Sequence, residues 1–279
     1  MVLQDKDSKA ILSFVKKEPR TIQDIARLLQ KSWLTADSYV KQVKERTGLI
    51  DIKTFRAGSQ GALKLVYYTT PDTLHTNDLR EELYSKIKNS RFKGDFDVME
   101  LFQFIPGEKK RSFLEVYDQQ EVSKNQDIVS LFRGAQRQIF CFSGNLSFIN
   151  ITENQLPLLE LIEELLQRKV AFKMLSRINI SSMNNLKKLT HLMEKYPGLM
   201  EMGHCYQPLR GFIIDDKVAR FKSEEEFSAY KSGELPQNTR IFYEIYDPEW
   251  IAWLQKVFWN LFRYSIDYSG RLKELKNIG

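Results

Sequence analysis

Two sets of side chains in this 279-residue chain have types and spacings that could do chemistry. The larger set lies between residues 31 and 64: Lys31, Ser32, Trp33, Thr35, Ser38, Lys41, Gln42 and Lys44, then Lys53, Arg56, Ser59, Gln60 and Lys64. Lysine and arginine neutralise phosphates, while Ser, Thr and Gln can hydrogen-bond to base edges. That is the chemistry of nucleic-acid binding. The second set is His204 beside Cys205, a pair that could ligate a metal or form a catalytic dyad. Adjacent residues on a strand point to opposite faces, which argues against either role.

Positioning the basic set requires a particular order of elements. Ile11, Leu12, Phe14 and Val15 fall on one side at helical spacing, and Glu18-Pro19 stops that helix. Thr21 is a good N-cap, with Asp24 in the first turn and Ile22, Ile25, Ala26, Leu28 and Leu29 as the buried face. After Gln30-Lys31-Ser32 the pattern predicts a third helix over roughly Leu34–Arg46, closed by Gly48, with Val40 and Val43 inward. Ser32, Trp33, Thr35, Ser38, Tyr39, Lys41, Gln42 and Lys44 are its polar and basic remainder. Two strand-like runs follow, Leu49–Arg56 and Ala62–Tyr68, joined by Ala57-Gly58-Ser59-Gln60-Gly61. Lys53, Arg56 and Lys64 would line one hairpin.

Charge is distributed accordingly. Residues 1–70 hold 13 Lys and Arg against 7 Asp and Glu, and the remaining 209 hold 29 of each sign, so the whole +6 excess lies in the first quarter. A basic module on a neutral body fits a phosphate-seeking head.

Residues 21–70 resemble the winged helix-turn-helix domain of archaeal and bacterial regulators. The resemblance implies that the third helix enters the DNA major groove and that the hairpin acts as a wing on the backbone. Winged helices also mediate protein contacts, and a plain helical domain with a solvated face is the simplest alternative.

Length and composition bound the rest. The chain can form two domains, and 42% hydrophobic and 12% aromatic content argues for packed cores. Absence of a long apolar run and of a signal pattern leads us to expect a soluble, cytoplasmic protein with no membrane contact. Cys141 and Cys205 are too few for a disulfide framework and lack metal-ligand spacing, His75 and His191 stand alone, and no P-loop or GxGxxG occurs. No cofactor or metal is expected. Residues 71–111 read as a linker: an amphipathic helix through Leu79, Leu83 and Ile87 that could dimerise or dock, then an aromatic, irregular connector, packed rather than ligand-binding.

From residue 112 to 279 strands and helices alternate: a helix over Glu121–Arg133, strands at Gln138–Phe142 and Lys169–Leu175, helices over Leu156–Arg168 and Asn184–Lys195. Strands at 199–202, 211–214, 217–221 and 240–246 follow, then a long aromatic helix over Pro248–Tyr268. The alternation implies an α/β layer structure. Trp250, Trp253, Phe258, Trp259, Phe262 and Tyr264 on that helix suit core packing first and a dimer interface second.

Pro208-Leu209-Arg210-Gly211-Phe212-Ile213-Ile214-Asp215 resembles the phospholipase D signature, HxKx4D followed by GS. Asp215 matches the Asp, Arg210 stands for the Lys and Ser223 for the Ser. Pro208 replaces the nucleophilic His, however, and Lys222 the Gly. The resemblance, over residues 115–266, implies a decayed fold without phosphodiester chemistry. Arg210, Asp215 and Ser223 would then form a relict pocket for an anion or small ligand, or simply a charged β-hairpin. Degenerate domains of this kind are fused to winged helices in archaeal regulators resembling the TrmB-type group.

The expected protein is therefore an α+β winged helix-turn-helix (1–70) followed by an α/β phospholipase D-like domain (112–279). It would be a homodimeric, sequence-specific transcriptional regulator that binds double-stranded DNA and could be tuned by a small-molecule or anionic effector. The alternatives are a phospholipase D-like phosphodiesterase or nuclease, and a chromatin-like DNA-coating protein of low specificity.

Overall fold

The computed structural model describes residues 3–56, 62–69, 76–116, 127–225 and 238–276. The chain opens with α1 (Asp5–Lys17), β1 (Arg20–Thr21), α2 (Ile22–Leu29), α3 (Trp33–Thr47), β2 (Ile50–Arg56) and β3 (Ala62–Tyr68). Local chemistry sets these boundaries. Thr21 Oγ1 accepts the Asp24 amide and the Asp24 carboxylate accepts the Thr21 amide, both at 3.1 Å, a capping box that starts α2. α3 ends at Gly48, whose φ of +64° is cheap only for glycine. Ile11, Val15, Ile22, Ile25, Val40, Val43, Ile50 and Val66 form the core of this head. The two-residue β1, which the sequence pattern did not anticipate, pairs with β3 and makes a three-stranded sheet in the order β1-β3-β2.

The hairpin is shared by two cores. Period-2 alternation turns Ile50, Ile52 and Val66 towards the head helices, and Phe55, Leu63 and Leu65 towards the rest of the chain. Next come α4 (Thr76–Asn89), α5 (Met99–Phe102) and β4 (Lys110–Val116). Leu83 and Ile87 of α4 are buried in the second core, and Arg80 reaches Glu249 at 3.3 Å. The apolar stripe of α4 is therefore consumed inside the chain, which favours docking over dimerisation, the two roles expected of it. The connector is packed, as expected, through Phe96, Val98, Leu101, Phe102 and Ile105.

The body continues with α6 (Ile128–Arg133), β5 (Gln138–Phe142), β6 (Thr152–Glu153), β7 (Leu156–Pro157), α7 (Leu158–Gln167), β8 (Ala171–Ser176), α8 (Met183–Lys195) and β9 (Met200–His204). It ends with β10 (Gly211–Ile214), β11 (Val218–Glu225), β12 (Thr239–Ile245), α9 (Pro248–Arg263), β13 (Ile266–Asp267) and α10 (Tyr268–Lys276). Eight strands form one sheet in the order β13-β9-β8-β5-β10-β11-β12-β4. β5, β8 and β9 run parallel and the other pairings are antiparallel.

The fold is thus mixed α/β, with helices on both faces. Ile128, Phe132, Leu161, Leu165, Leu186 and Leu189 cover one face, and Leu83, Leu101, Ile251, Leu254 and Phe258 cover the other. Of the helix expected over 121–133, residues 121–126 lie outside the described residues. The expected long aromatic helix stops at Arg263, because Ser265 folds back onto the Phe262 carbonyl (2.7 Å) and the chain enters β13. Gly203 on β9 makes room for that turn, since a Cβ there would overlap Ser265 Oγ. Among the described residues, no helix is long and apolar enough to cross a membrane.

Candidate functional site

The outer surface of α3 carries most of the basic set. Lys31, Ser32, Ser38, Lys41 and Lys44 are exposed, and Trp33, Thr35 and Gln42 are half-buried. Tyr39, expected in the polar remainder of the helix, is 3% exposed and belongs to the head core. Several of these groups already have partners. Ser32 Oγ, the N-cap, accepts the Thr35 amide at 3.2 Å and shares a hydrogen bond with Thr35 Oγ1 at 2.9 Å. Gln42 Nε2 donates to Ser38 Oγ at 3.3 Å.

Carboxylates hold three of the lysines. Asp37, on the inner flank of α3, is bound by Lys41 (2.9 Å) and Lys64 (2.6 Å), and Asp51 binds Lys44. Burial pushes the Asp37 carboxyl up, but hydrogen bonds from Lys64 and Lys41 outweigh it and leave the group below the usual carboxylate range. Lys64 also lies 5.0 Å from the centre of the Trp33 ring. The Asp37–Lys64 pair therefore ties the helix to the hairpin.

The hairpin does not present its cations together. Arg56 and Lys64 share the face of β2 and β3 that looks to the head, whereas Lys53 alternates with Phe55 onto the face packed against the body. All three lie on the one hairpin, as expected, but on two different faces of it. Ser59 and Gln60 lie outside the described residues. One residue missed by the polar reading stands out: Leu34, in the first turn of α3, is 76% exposed.

The body holds a cleft of about 630 Å³, lined by Phe142, Ser143, Gly144, Asn145, Phe148, Arg177, Arg210, Phe212, Arg220, Lys222, Glu224, Arg240 and Phe242, with Phe92 and Lys93 of the connector as a further wall. The structure separates the three residues of the degenerate motif. Arg210 lines the cleft. Asp215 sits at the far end of β10, 1% exposed, and accepts the backbone amides of Gln136, Arg137 and Gln138 at 3.0, 2.9 and 2.9 Å. It is a clasp between two chain segments. Ser223 shares the face of β11 that carries Ala219 and Phe221 and does not line the cleft; its buried hydroxyl has no hydrogen-bond partner among the described residues. The expected pocket of Arg210, Asp215 and Ser223 is therefore not assembled.

Charges in the cleft are unevenly matched. Glu224 takes Lys222 (2.9 Å), Lys93 (3.2 Å) and Arg240 (3.3 Å). Burial opposes its ionisation, yet Lys222 and Lys93 bring its pKa down to about 2. Arg220 is paired with Glu244 at 2.5 Å. Arg177 and Arg210 have no carboxylate within ion-pair distance among the described residues. Burial, then repulsion from Arg177, brings Arg210 down to about 10. Sequence reasoning missed Arg177, Phe92 and Lys93, because no local pattern links residues that far apart.

Among the described residues no histidine lines the cleft. His204 is 5% exposed and its Nδ1 accepts the Ile178 amide at 2.8 Å; burial, then Arg271, depresses its basicity. Burial raises the Cys205 thiol to about 12 and pushes Cys141 well above its ordinary value. Neither is an activated nucleophile. Among the described residues no cluster of three His, Cys, Asp or Glu could hold a metal ion.

No family model matches the chain, and no curated protein matches its sequence. Solved structures do resemble it. TrmBL2, an archaeal chromatin protein, is 16% identical over 94% of this chain and 93% of its own, with a TM-score of 0.40. Nuc, a phospholipase D family member from Salmonella typhimurium, is 13% identical over 57% of this chain and 99% of its own, with a TM-score of 0.39. NucT from Helicobacter pylori is 14% identical over 57% of this chain and 100% of its own, with a TM-score of 0.38.

Proposed function

We propose that this chain is a DNA-binding regulator. Its head is a winged helix-turn-helix that lays α3 in the major groove of a duplex, and its body serves dimerisation. The observation that carries the reading is the outer face of α3. It is exposed and polar and carries Lys31, Lys41 and Lys44, in a module that holds the entire net charge of the protein. Arg56 and Lys64 extend that face along the hairpin, while Lys53 belongs to the head–body junction. Leu34 adds an apolar contact suited to thymine. Dimerisation draws on the aromatic surface left on α9 and just beyond it, where Trp259 and Tyr264 are 41% and 78% exposed. We assign no phosphodiester chemistry to the body, since Pro208 stands at the nucleophile position and His204 is turned into a structural hydrogen bond.

The test is binding of the full chain to random and selected duplexes across a salt series, with mass measured in solution. A dimer with salt-sensitive affinity and a reproducible preferred site is the expected result. Equal affinity for every sequence would instead identify a low-specificity coating protein. No binding at low salt would sink the DNA reading. Metal-independent cleavage that disappears on His204→Ala would revive the nuclease alternative.

A further inference from the structure

The strand order of the body brings together two cations that are 33 residues apart in the chain. β8 and β10 flank β5, β8 parallel to it and β10 antiparallel, so the C-terminal ends of β5 and β8 meet the N-terminal end of β10. Arg177 follows β8 directly and Arg210 directly precedes β10, so the two guanidiniums straddle the segment Ser143-Gly144-Asn145 that leaves β5. Open sheets bind ligands outside the carboxyl ends of their parallel strands, and this cleft occupies that position.

The local chemistry is selective. Gly144 gives the Arg210 side chain its place, since a Cβ there would lie 2.9 Å from both Nε and Nη2. Within the cleft wall Arg210 uses only Nη1, on the carbonyls of Gln207 (3.0 Å) and Leu209 (2.6 Å). Arg177 Nε is buried without a hydrogen-bond partner. Two guanidiniums with free donors and no carboxylate between them are an anion site. The carboxylate nearest at hand, Glu224, is already saturated by Lys93, Lys222 and Arg240. Around the cations the walls are aromatic: Phe148 packs edge-on against Phe212 at 5.3 Å, and Arg177 lies 5.6 Å from the centre of the half-exposed Phe92 ring. The volume of about 630 Å³ fits a small molecule.

We propose that this cleft binds a small molecule in which an anionic group is joined to a flat apolar ring, the anion held between Arg177 and Arg210 and the ring against Phe92. The site is independent of the DNA reading, and the degenerate motif supplies only one of its residues.

Calorimetric titration of the full chain with 1-naphthyl phosphate, inorganic phosphate and 1-naphthol tests it without DNA. The expected result is that 1-naphthyl phosphate binds at least roughly tenfold more tightly than either half alone. Arg177→Gln and Arg210→Gln should each weaken it by roughly tenfold or more. Phe92→Ala should remove the advantage over inorganic phosphate while keeping phosphate binding. 1-Naphthoate in place of the phosphate separates carboxylate from phosphate ligands, both of which the guanidinium pair accepts. Circular dichroism confirms that each variant is folded, and Arg177→Gln, at a half-exposed position, is the variant that decides the test. Undiminished binding by folded Arg177→Gln, inorganic phosphate binding as tightly as 1-naphthyl phosphate, or no binding at millimolar probe would each overturn the proposal.

Discussion

Replacing Asp37 by Asn should make the head less stable and its DNA binding tighter at the same time. The carboxylate is 90% shielded, accepts Lys64 at 2.6 Å and Lys41 at 2.9 Å, and is held ionised by them. Hydrogen bonds to charged groups contribute about 1.5–3 kcal/mol when one partner is removed. Lys41 stays half-exposed and recovers hydration, so the main loss is at Lys64, whose side chain is 20% exposed. We therefore expect about 2 kcal/mol of destabilisation at neutral pH, read from urea unfolding.

The pH dependence has a definite sign. The folded carboxyl lies below its unfolded value of 3.8, so its contribution is complete above that value and is lost as pH falls through the folded one. The gap between wild type and Asp37→Asn should thus be flat at neutral pH and close in acid. For DNA, the variant removes a negative charge from beneath α3 and releases two lysines. Each new phosphate contact steepens the slope of log affinity against log salt by about 0.9. The folded variant should therefore bind duplex DNA more tightly at low salt, with a slope up to about 2 units steeper. Weaker binding, or an unchanged slope, in a demonstrably folded variant would falsify the assignment of this face to DNA.

Three further outcomes follow from the packing and the charges. Phe55→Ala should cost about 3–5 kcal/mol, because the ring is 4% exposed against Tyr243 in the shared core; urea unfolding followed by head and body probes should then separate into two transitions. Glu244→Gln should cost about 1.5–3 kcal/mol by taking the charge from the buried 2.5 Å pair with Arg220, as thermal unfolding of the variant would reveal. Lys110 is held near pKa 8, burial first and then Lys53 opposing its charge; the unfolded chain then binds more protons between about pH 8 and 10.5, so stability should rise with pH across that window. Since the side chain is only partly shielded, we expect about 1 kcal/mol, abolished by Lys110→Met in denaturation curves at several pH values.

How much of this was legible in the sequence depends on the range of the interaction concerned. The head was readable because its boundaries rest on neighbours: Thr21 caps α2 through Asp24, and Gly48 ends α3 by its left-handed backbone. The strands at 138–142 and 211–214 were readable because short apolar runs bounded by turns can do little else. β4 was not, since Lys110-Arg111-Ser112 alternates too weakly to announce a strand that forms by pairing with β12. The long helix expected over 248–268 was overextended because its aromatic content masks the fold-back at Ser265.

Composition and spacing alone determined that this chain carries a basic, helix-rich head on a neutral, strand-rich body. The tertiary structure alone decided which side of the hairpin packs on the body, that Asp37 claims Lys64 from 27 residues away, and that Arg177 joins Arg210 at one end of the sheet while Asp215 and Ser223 are sent elsewhere. Helix caps and strand alternation depend on residues a few positions apart, which a sequence displays directly. Strand order and the pairing of faces depend on contacts across the core, which no local pattern encodes.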